Sequence, residues 1–282
     1  MTGVKAPWWA TIYVLVPIFS GFVWLGMLLG MLLWWIVKED SVHLFNMSAG
    51  QDIAYISDIG ALDLQPLFIA MGTVTVVSFT SVFVTERWLR HRGTIARNTS
   101  RWQKTLSSLA IIFAVIGMIG LIILTCKNNV DYSTTHNVCL VIFIAGYIIS
   151  AIFVCWEYQR LGIHYRQYRI LAISFWIKLA FIFVEFSLAI AFGVLGHQKK
   201  YNSAAVVEWV ISLIYTFYVW SYVIDFIPAI RTHHYASKET EIDMVEGMER
   251  EARMRGYPGG VAEEQSAYGS TRPIRGLESR NF

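Results

Sequence analysis

Residues 109–124 read LAIIFAVIGMIGLIIL, without one charged or strongly polar side chain. A helix of this composition is apolar on every side, whereas a helix on the surface of a soluble protein keeps a polar face. The largely apolar run extends over Leu106–Thr125, and about 20 residues is the length that a helix needs to cross a hydrocarbon core of ~30 Å. This segment is therefore predicted to span a membrane.

Five further runs share this length and composition, and they lie near Thr11–Val37, Pro66–Thr85, Asn137–Trp156, Ile170–Leu195 and Ala205–Ile230. Apolar residues make up 55% of the chain and charged residues 15%, against about 25% charged residues in an average globular domain. We predict an all-α, polytopic membrane protein with six transmembrane helices within residues 1–230. A mostly disordered, charged tail is expected over residues 231–282.

Basic residues are distributed unevenly among the loops, and this asymmetry predicts the orientation of the helices. Nine of them follow the second and fourth runs: Arg87, Arg90, Arg92, Arg97, Arg101, Lys104, Arg160, Arg166 and Arg169. The other loops contain four: Lys38, Lys127, Lys199 and Lys200. Because basic loops stay on the cytosolic side, we expect both termini and the tail in the cytosol and residues 38–65 on the opposite side.

The basic segment Glu86–Lys104 has two interpretations. Such a cluster commonly does no more than set the orientation of the helices. Alternatively its cations contact anionic lipid of the inner leaflet, where each contributes on the order of 1 kcal/mol; these are Arg87, Arg90, Arg92, Arg97, Arg101 and Lys104. Trp88 and Trp102 suit an interfacial position under either interpretation. So short a segment between two membrane helices is not expected to bind nucleic acid.

Two covalent modifications depend on this orientation. Cys126 and Cys139 fall at the outer ends of the third and fourth runs, where we expect either a disulfide between them or two unpaired buried thiols. Asn46 begins the sequon Asn46-Met47-Ser48 in the outer loop and is a candidate for glycosylation. The sequon at Asn98 lies in the basic segment and should stay unmodified if that segment is cytosolic.

Charged residues within the hydrophobic runs are costly, by roughly 2.5–3.5 kcal/mol at the membrane centre. Glu185 lies near the middle of the fifth run, with Lys178 two turns earlier on the same face. Lys178 is expected either to extend toward Glu185 or to reach the cytosolic boundary. Asp225 follows two tyrosines in the sixth run, and Glu208 is expected to reach water at the outer end. These groups form either an interhelical hydrogen-bond network or a site for a lipid head group or an ion.

Ordinary enzyme chemistry has no support in the sequence. His43, His136 and His197 fall in different outer loops and none has the spacing of metal ligands. No Gly-x-Ser-x-Gly, Ser-x-x-Lys, phosphate-binding or dinucleotide-binding motif occurs. We therefore expect no metal, no cofactor and no catalytic residue.

Residues 55–61, YISDIGA, are the most distinctive stretch, and Pro66 follows at the start of the second run. Gly60 is expected to permit a tight bend, while Asp58 binds nearby backbone N–H groups. Pro66 suits the first turn of a helix because it has no N–H to satisfy. These residues predict an ordered turn over the outer end of the bundle.

This stretch resembles the Frag/DRAM/Sfk family of six-helix membrane proteins, whose first outer loop carries an Ile-Ser-Asp-small-Gly pattern followed by a proline. His136, Glu185 and Asp225 also look like the polar positions of that family, and the resemblance covers roughly residues 10–230. It implies an outer cap formed by Ser57, Asp58, Gly60, Pro66 and His136.

The resemblance implies no single activity. The suppressor-of-four-kinase branch regulates phosphoinositide production and leaflet asymmetry at the plasma membrane, and the charged tail favours this branch because such a tail can recruit a cytosolic protein partner. We therefore expect a non-enzymatic regulator of membrane lipid homeostasis that contacts membrane lipids.

The alternatives are an autophagy modulator of the lysosome or vacuole and a participant in GPI-anchor lipid remodelling in the Golgi or endoplasmic reticulum. The remodelling role would place Asp58, His136 and Glu185 near the substrate. Transport along Glu185, Lys178 and Asp225 is less favoured, since the sequence shows no inverted repeat or broken helix.

Overall fold

The computed structural model describes the backbone of residues 8–95, 100–164, 169–231 and 245–246. Within these ranges the chain is helical and contains no strand. The helices are α1 (Trp8–Leu33), continued by a π turn over Trp34–Lys38, α2 (Ile56–Ile59), α3 (Gln65–Arg92), α4 (Arg101–Cys126), α5 (Ser133–His164), α6 (Arg169–His197), α7 (Tyr201–Ser221) and α8 (Val223–Arg231).

Six helical segments are long and apolar enough to cross a membrane, which confirms the predicted all-α fold class. The sixth segment, Tyr201–Ile227, combines α7 with the first half of α8. Helices α3 and α5 continue beyond the predicted ends of their apolar runs, to Arg92 and His164. In α3 the added turns contain charges that pair along the helix, so the helix persists where the apolar run stops.

The six long helices form a closed ring in chain order. Each of α1, α3, α4, α5, α6 and α7 packs against the next, and α7 returns to α1. Aromatic side chains fill the centre, where the Phe79 ring contacts the rings of Tyr147, Tyr215, Tyr218 and Tyr222 at centroid distances of 5.4 to 5.9 Å. This cluster joins α3, α5 and α7 across the ring.

Helices α4 and α5 approach each other closely. A Cβ added to Gly146 would lie 2.7 Å from the backbone Cα of Gly117. Ser150, one turn farther along α5, donates a hydrogen bond to the carbonyl oxygen of Ala110 at 2.8 Å. Small residues thus permit the backbone contact that membrane helices use in place of a hydrophobic driving force.

Helix α6 is packed unevenly along its length. Its fully buried residues are Leu171, Ser174 and Lys178, all in the first third of the helix. Among the described residues from 179 to 197, none is fully buried. The second part of α6 is therefore only loosely enclosed by its neighbours.

The two ends of the bundle differ in sequence. The motif end consists of residues 39–64 and 127–132, and the arginine end consists of residues 86–95 and 100–104. Arg97, Arg166, Asn98 and the tail, apart from the backbone of Arg231 and residues Val245 and Glu246, lie outside the described residues. The predicted boundary at residue 230 and the disordered tail stay predictions.

Candidate functional site

The motif end is organised around the carboxylate of Asp58 in α2. Asp58 Oδ2 accepts hydrogen bonds from Gln51 Nε2 at 2.7 Å and from the Tyr55 backbone N–H at 3.0 Å. Asp58 Oδ1 accepts from Asn129 Nδ2 at 2.8 Å. One buried carboxylate thus ties residues 51–58 to the loop between α4 and α5. Burial raises the pKa of Asp58 above its ordinary value, although these donors and nearby His136 act in the opposite direction.

Gly60 and Pro66 join this cap to α3. Pro66 lies in the first turn of α3, as predicted. The chain turns over residues 60–64, and Gly60 has an ordinary φ of −71°, so this turn does not use the left-handed conformation that favours glycine. A Cβ at this position would lie 2.5 Å from the Phe68 ring. Glycine is needed here for close packing rather than for its backbone freedom.

Asn46 is part of the same cap. Its Nδ2 atom, to which a sugar would be attached, donates a hydrogen bond to the backbone carbonyl of Asp58 at 2.9 Å. Glycosylation replaces one of the two Nδ2 hydrogens, so the other can still donate this bond, and glycosylation of Asn46 stays a prediction.

His136 lies in the first turn of α5 and is buried. Its Nδ1 faces the carbonyl oxygens of Lys127 and Leu124 at 2.9 and 3.1 Å. Carbonyl oxygens only accept hydrogen bonds, so Nδ1 carries a proton, and in the neutral form of the ring Nε2 is an acceptor. Nε2 is buried and has no hydrogen-bond partner among the described residues.

Two adjacent cavities lie between the helices. The first, of about 500 Å³ including its open side, is at the motif end and is lined by Ser57, His136, Phe192 and Glu208 among others. The second, of about 570 Å³ on the same measure, lies deeper and extends to Phe181, Glu185 and Tyr218. Their shared walls are formed by Trp24, Phe143, Ile144, Ile211 and Ser212. The predicted positions Ser57 and His136 thus meet at one cavity, and Glu185 lines the next.

Glu185 is not paired with Lys178. Its Oε1 atom is buried without a hydrogen-bond partner in the described part of the chain. Glu208 is half-buried, and its Oε2 accepts a hydrogen bond from the Ile56 backbone N–H at 2.8 Å, a contact that was not predicted. The carboxylate of Glu208 therefore holds the start of α2.

Lys178 is buried, and both predictions for it, an extension toward Glu185 or toward the membrane boundary, were wrong. Its Nζ donates to Asp225 Oδ2 at 2.5 Å and to Ser174 Oγ at 2.7 Å. The same ammonium lies over the rings of Tyr158 and Tyr222, 4.7 and 4.4 Å from their centroids. Asp225 and Lys178 thus belong to one polar network that joins α6 to α5 and α8.

Arg90 was predicted to contact lipid, but it is buried at the arginine end. Its guanidinium donates to Glu86 Oε1 at 2.6 Å and lies 3.5 Å from Glu157 Oε1. Tyr158 donates its hydroxyl proton to the same oxygen of Glu86 at 2.5 Å. Arg90 therefore joins α3 to α5. Glu86, Glu157 and Tyr158 were not recognised from the sequence.

The other described cations of this end lie at the surface. Arg101 and Lys104 are exposed, and Arg87 is half-buried and donates to the Lys104 carbonyl oxygen at 2.8 Å. The Arg92 guanidinium stacks 3.9 Å from the Trp88 ring centroid. We call these four cations, with the exposed rings of Trp88 and Trp102, the basic belt.

Cys126 and Cys139 do not form the expected disulfide in this structure. Cys126 is an exposed thiol, whereas Cys139 and Cys155 are buried thiols. The alternative expectation was two unpaired, buried thiols. Cys139 agrees with it, whereas Cys126 is unpaired but exposed. Within the described ranges, no three His, Cys, Asp or Glu side chains converge in a way that could hold a metal ion.

Residues 12–229 match the family model described as the Frag1/DRAM/Sfk1/Cwh43P N-terminal domain. The chain belongs to the Frag1/DRAM/Sfk1 family. Since the match covers all six candidate spans, the cap around Asp58 and both cavities lie within the family domain.

Two relatives within this family carry the Sfk1 name. Protein sfk1 of Schizosaccharomyces pombe is 27% identical over 230 residues, which cover 81% of this chain and 68% of that protein. Protein SFK1 of Saccharomyces cerevisiae is 28% identical over 185 residues, or 56% of this chain and 52% of that protein. No solved structure matches the chain. The protein is thus an Sfk1-family membrane protein.

Proposed function

We propose that this protein is a non-enzymatic regulator of membrane lipid homeostasis at the plasma membrane, acting on phosphoinositide production or on lipid distribution between the leaflets. The observation that carries the proposal is the basic belt, because it combines exposed cations with exposed aromatic rings at one end of a membrane-spanning bundle. The similarity to two proteins named Sfk1 supports the same branch of the family.

The basic belt has the chemistry of a surface that contacts anionic lipid. Trp102 is 65% exposed and Trp88 40% exposed, and indole rings favour the head-group region. Each cation near an anionic leaflet contributes on the order of 1 kcal/mol to the attraction. Such attraction requires the arginine end to face the cytosol, as the distribution of basic residues predicts.

The tail supplies the second part of the proposed mechanism. Residues 231–282 are rich in charges of both signs and poor in large apolar residues, a composition suited to recruiting a soluble partner. In this proposal the belt holds anionic lipid at the membrane surface and the tail brings a lipid-modifying protein to it.

Deletion of residues 231–282 tests this mechanism. Cells that lack the endogenous protein are complemented with the full chain or with the deletion variant, and phosphoinositide levels and leaflet exposure of lipids are measured. The variant should insert normally and fail to restore these values. Full restoration by the deletion variant would contradict the proposed role of the tail.

A second candidate is participation in GPI-anchor lipid remodelling. It is favoured by the unpartnered Nε2 of His136 at a cavity that Ser57 also lines. The lipid composition of anchors in cells carrying Asp58→Ala or His136→Ala discriminates between the two functions. An altered profile with normal phosphoinositide levels would support remodelling, and a normal profile would exclude it.

A further inference from the structure

We propose that the two cavities form one groove for a single lipid chain, with a hydrogen-bond-donating head group at His136. We call this space the α5–α7 groove. The inference does not depend on the basic belt or the tail, so it can fail while the proposed function holds, and the reverse is also true.

The α5–α7 groove has the dimensions of one leaflet. Its lining residues on α5 extend from His136 to Ala151, a rise of about 22 Å along a helix. Half of a hydrocarbon core of ~30 Å is about 15 Å. The groove is therefore long enough for the hydrocarbon chain of a lipid together with the start of its head group.

The walls of the groove suit a hydrocarbon chain. Its deep part is lined mainly by aliphatic and aromatic side chains of α5, α6 and α7, and apolar surfaces favour a hydrocarbon occupant over water. The head group belongs at the motif end because Ser57, His136 and Glu208 lie there. A lipid of the adjacent leaflet has this same order of polar and apolar parts.

A route into the groove is provided by α6. Its second part contains no fully buried residue within 179–197. A Cβ added to Gly193 or Gly196 would meet no described atom within 4 Å. Since this part of α6 forms one wall through Phe181, Glu185 and Phe192, a lipid chain can enter sideways between α6 and its neighbours.

The head group must donate hydrogen bonds. With Nδ1 directed at two carbonyl oxygens, Nε2 of His136 is an acceptor in the neutral form of the ring, and it is buried without a partner among the described residues. An ammonium or hydroxyl group satisfies this nitrogen, whereas a trimethylammonium, which has no N–H, does not. Glu185 precedes Phe192 by seven residues of α6, a rise of about 10 Å. Its carboxyl therefore lines the groove at a deeper level than Phe192. The structure thus favours a long-chain amine or alcohol.

Photolabelling of the purified full-length protein tests the head-group preference. The probe is a long-chain primary amine with a diazirine near the end of its chain, and the comparison probe is its N-trimethylated analogue. The amine should label peptides of α5, α6 and α7 that line the groove, roughly tenfold more strongly than the analogue. In His136→Leu this preference should disappear.

A second pair of variants tests the position of the chain. Ile182→Trp places a larger side chain in the groove, while Ile190→Trp places it on a surface of the same helix that is 51% exposed. Labelling should be lost in Ile182→Trp and retained in Ile190→Trp. Unlabelled long-chain amine should compete with the probe on the unmodified protein, which provides a test that does not depend on the folding of a variant.

Three results would overturn the proposal. These are equal labelling by the amine and its trimethylated analogue, labelling confined to outward-facing residues, and no competition by unlabelled amine on the unmodified protein. Labelling of the groove by a long-chain fatty acid in place of the amine would also contradict it, because a carboxylate head group only accepts hydrogen bonds.

Discussion

Lys178 Nζ lies 2.5 Å from Asp225 Oδ2, and each side chain is only 1% exposed. The two residues are 47 positions apart in the sequence and connect α6 with the first turn of α8. A buried ammonium is costly unless a carboxylate and further polar groups compensate its charge. Here Ser174 and the rings of Tyr158 and Tyr222 complete its surroundings.

Removal of one partner from this pair should destabilise the bundle. Asp225→Asn leaves the ammonium of Lys178 buried without a counter-charge and should lower the free energy of unfolding by about 3–5 kcal/mol. The double variant Lys178→Met with Asp225→Leu should recover most of this loss. Unfolding in detergent measures the stability of both variants. Lys104→Met, which changes an exposed lysine, is the control. A double variant no more stable than Asp225→Asn would contradict the interpretation.

Arg90 and Arg87 should behave differently although they are three positions apart. Arg90→Gln leaves the buried carboxylate of Glu86 without its counter-charge and should cost about 3 kcal/mol or more of stability. Arg87→Gln should change stability by less than about 1 kcal/mol and reduce the amount of anionic lipid that stays bound to the bundle in detergent. Unfolding and analysis of the copurified lipid separate the two effects. Equal loss of stability in both variants would show that Arg90 has no special structural role.

The close contact between α4 and α5 predicts that two glycines of α5 tolerate substitution differently. Gly146→Ala forces a methyl group against the Gly117 backbone, and the overpacking should cost about 1–3 kcal/mol. A Cβ at Gly162 would meet no described atom within 4 Å, so Gly162→Ala should leave stability nearly unchanged or slightly raised. Thermal unfolding compares them. Two variants with the same stability would contradict the observed helix approach.

Asp58 should make the stability of the protein dependent on pH. Burial raises its pKa in the folded state above the ordinary value of 3.8, so the folded protein holds the proton more tightly than the unfolded chain. The stability that Asp58 contributes is therefore fully present below about pH 4 and is lost as the pH rises through the folded-state pKa. With rising pH, the unfolding midpoint of Asp58→Asn should fall less steeply than that of the unmodified protein. Parallel curves would contradict this.

The features that were predictable from the sequence are local. Hydrophobic length determines each membrane span, and Pro66 suits the first turn of a helix because it has no N–H to satisfy. The Glu86–Arg90 spacing of four positions could have revealed a helical ion pair, but the apolar run stops at Thr85 and concealed the continuation of α3. Side-chain pairs such as Lys178 and Asp225 depend on how two separate helices are rotated toward each other. No short stretch of sequence indicates this rotation, so these pairs could not be predicted.

The same distinction between local and distant contacts explains which parts of the candidate site could be predicted. The motif around Asp58 was visible because its residues are adjacent in sequence, yet its partner Asn129 comes from a distant loop. His136 was recognised only through the family resemblance. Its orientation toward the carbonyl of Lys127 depends on how α4 and α5 meet, which no periodicity encodes.

The proposed function requires the motif end and the arginine end to lie on opposite sides of the membrane, with the arginines in the cytosol. Single cysteines at exposed Ala49 and Lys104, in a variant whose native cysteines are replaced by serine, test this with an impermeant maleimide on sealed vesicles of known orientation. Ala49→Cys should react only from the extracytoplasmic side and Lys104→Cys only from the cytosolic side. Reaction of both from the same side would contradict the proposed arrangement.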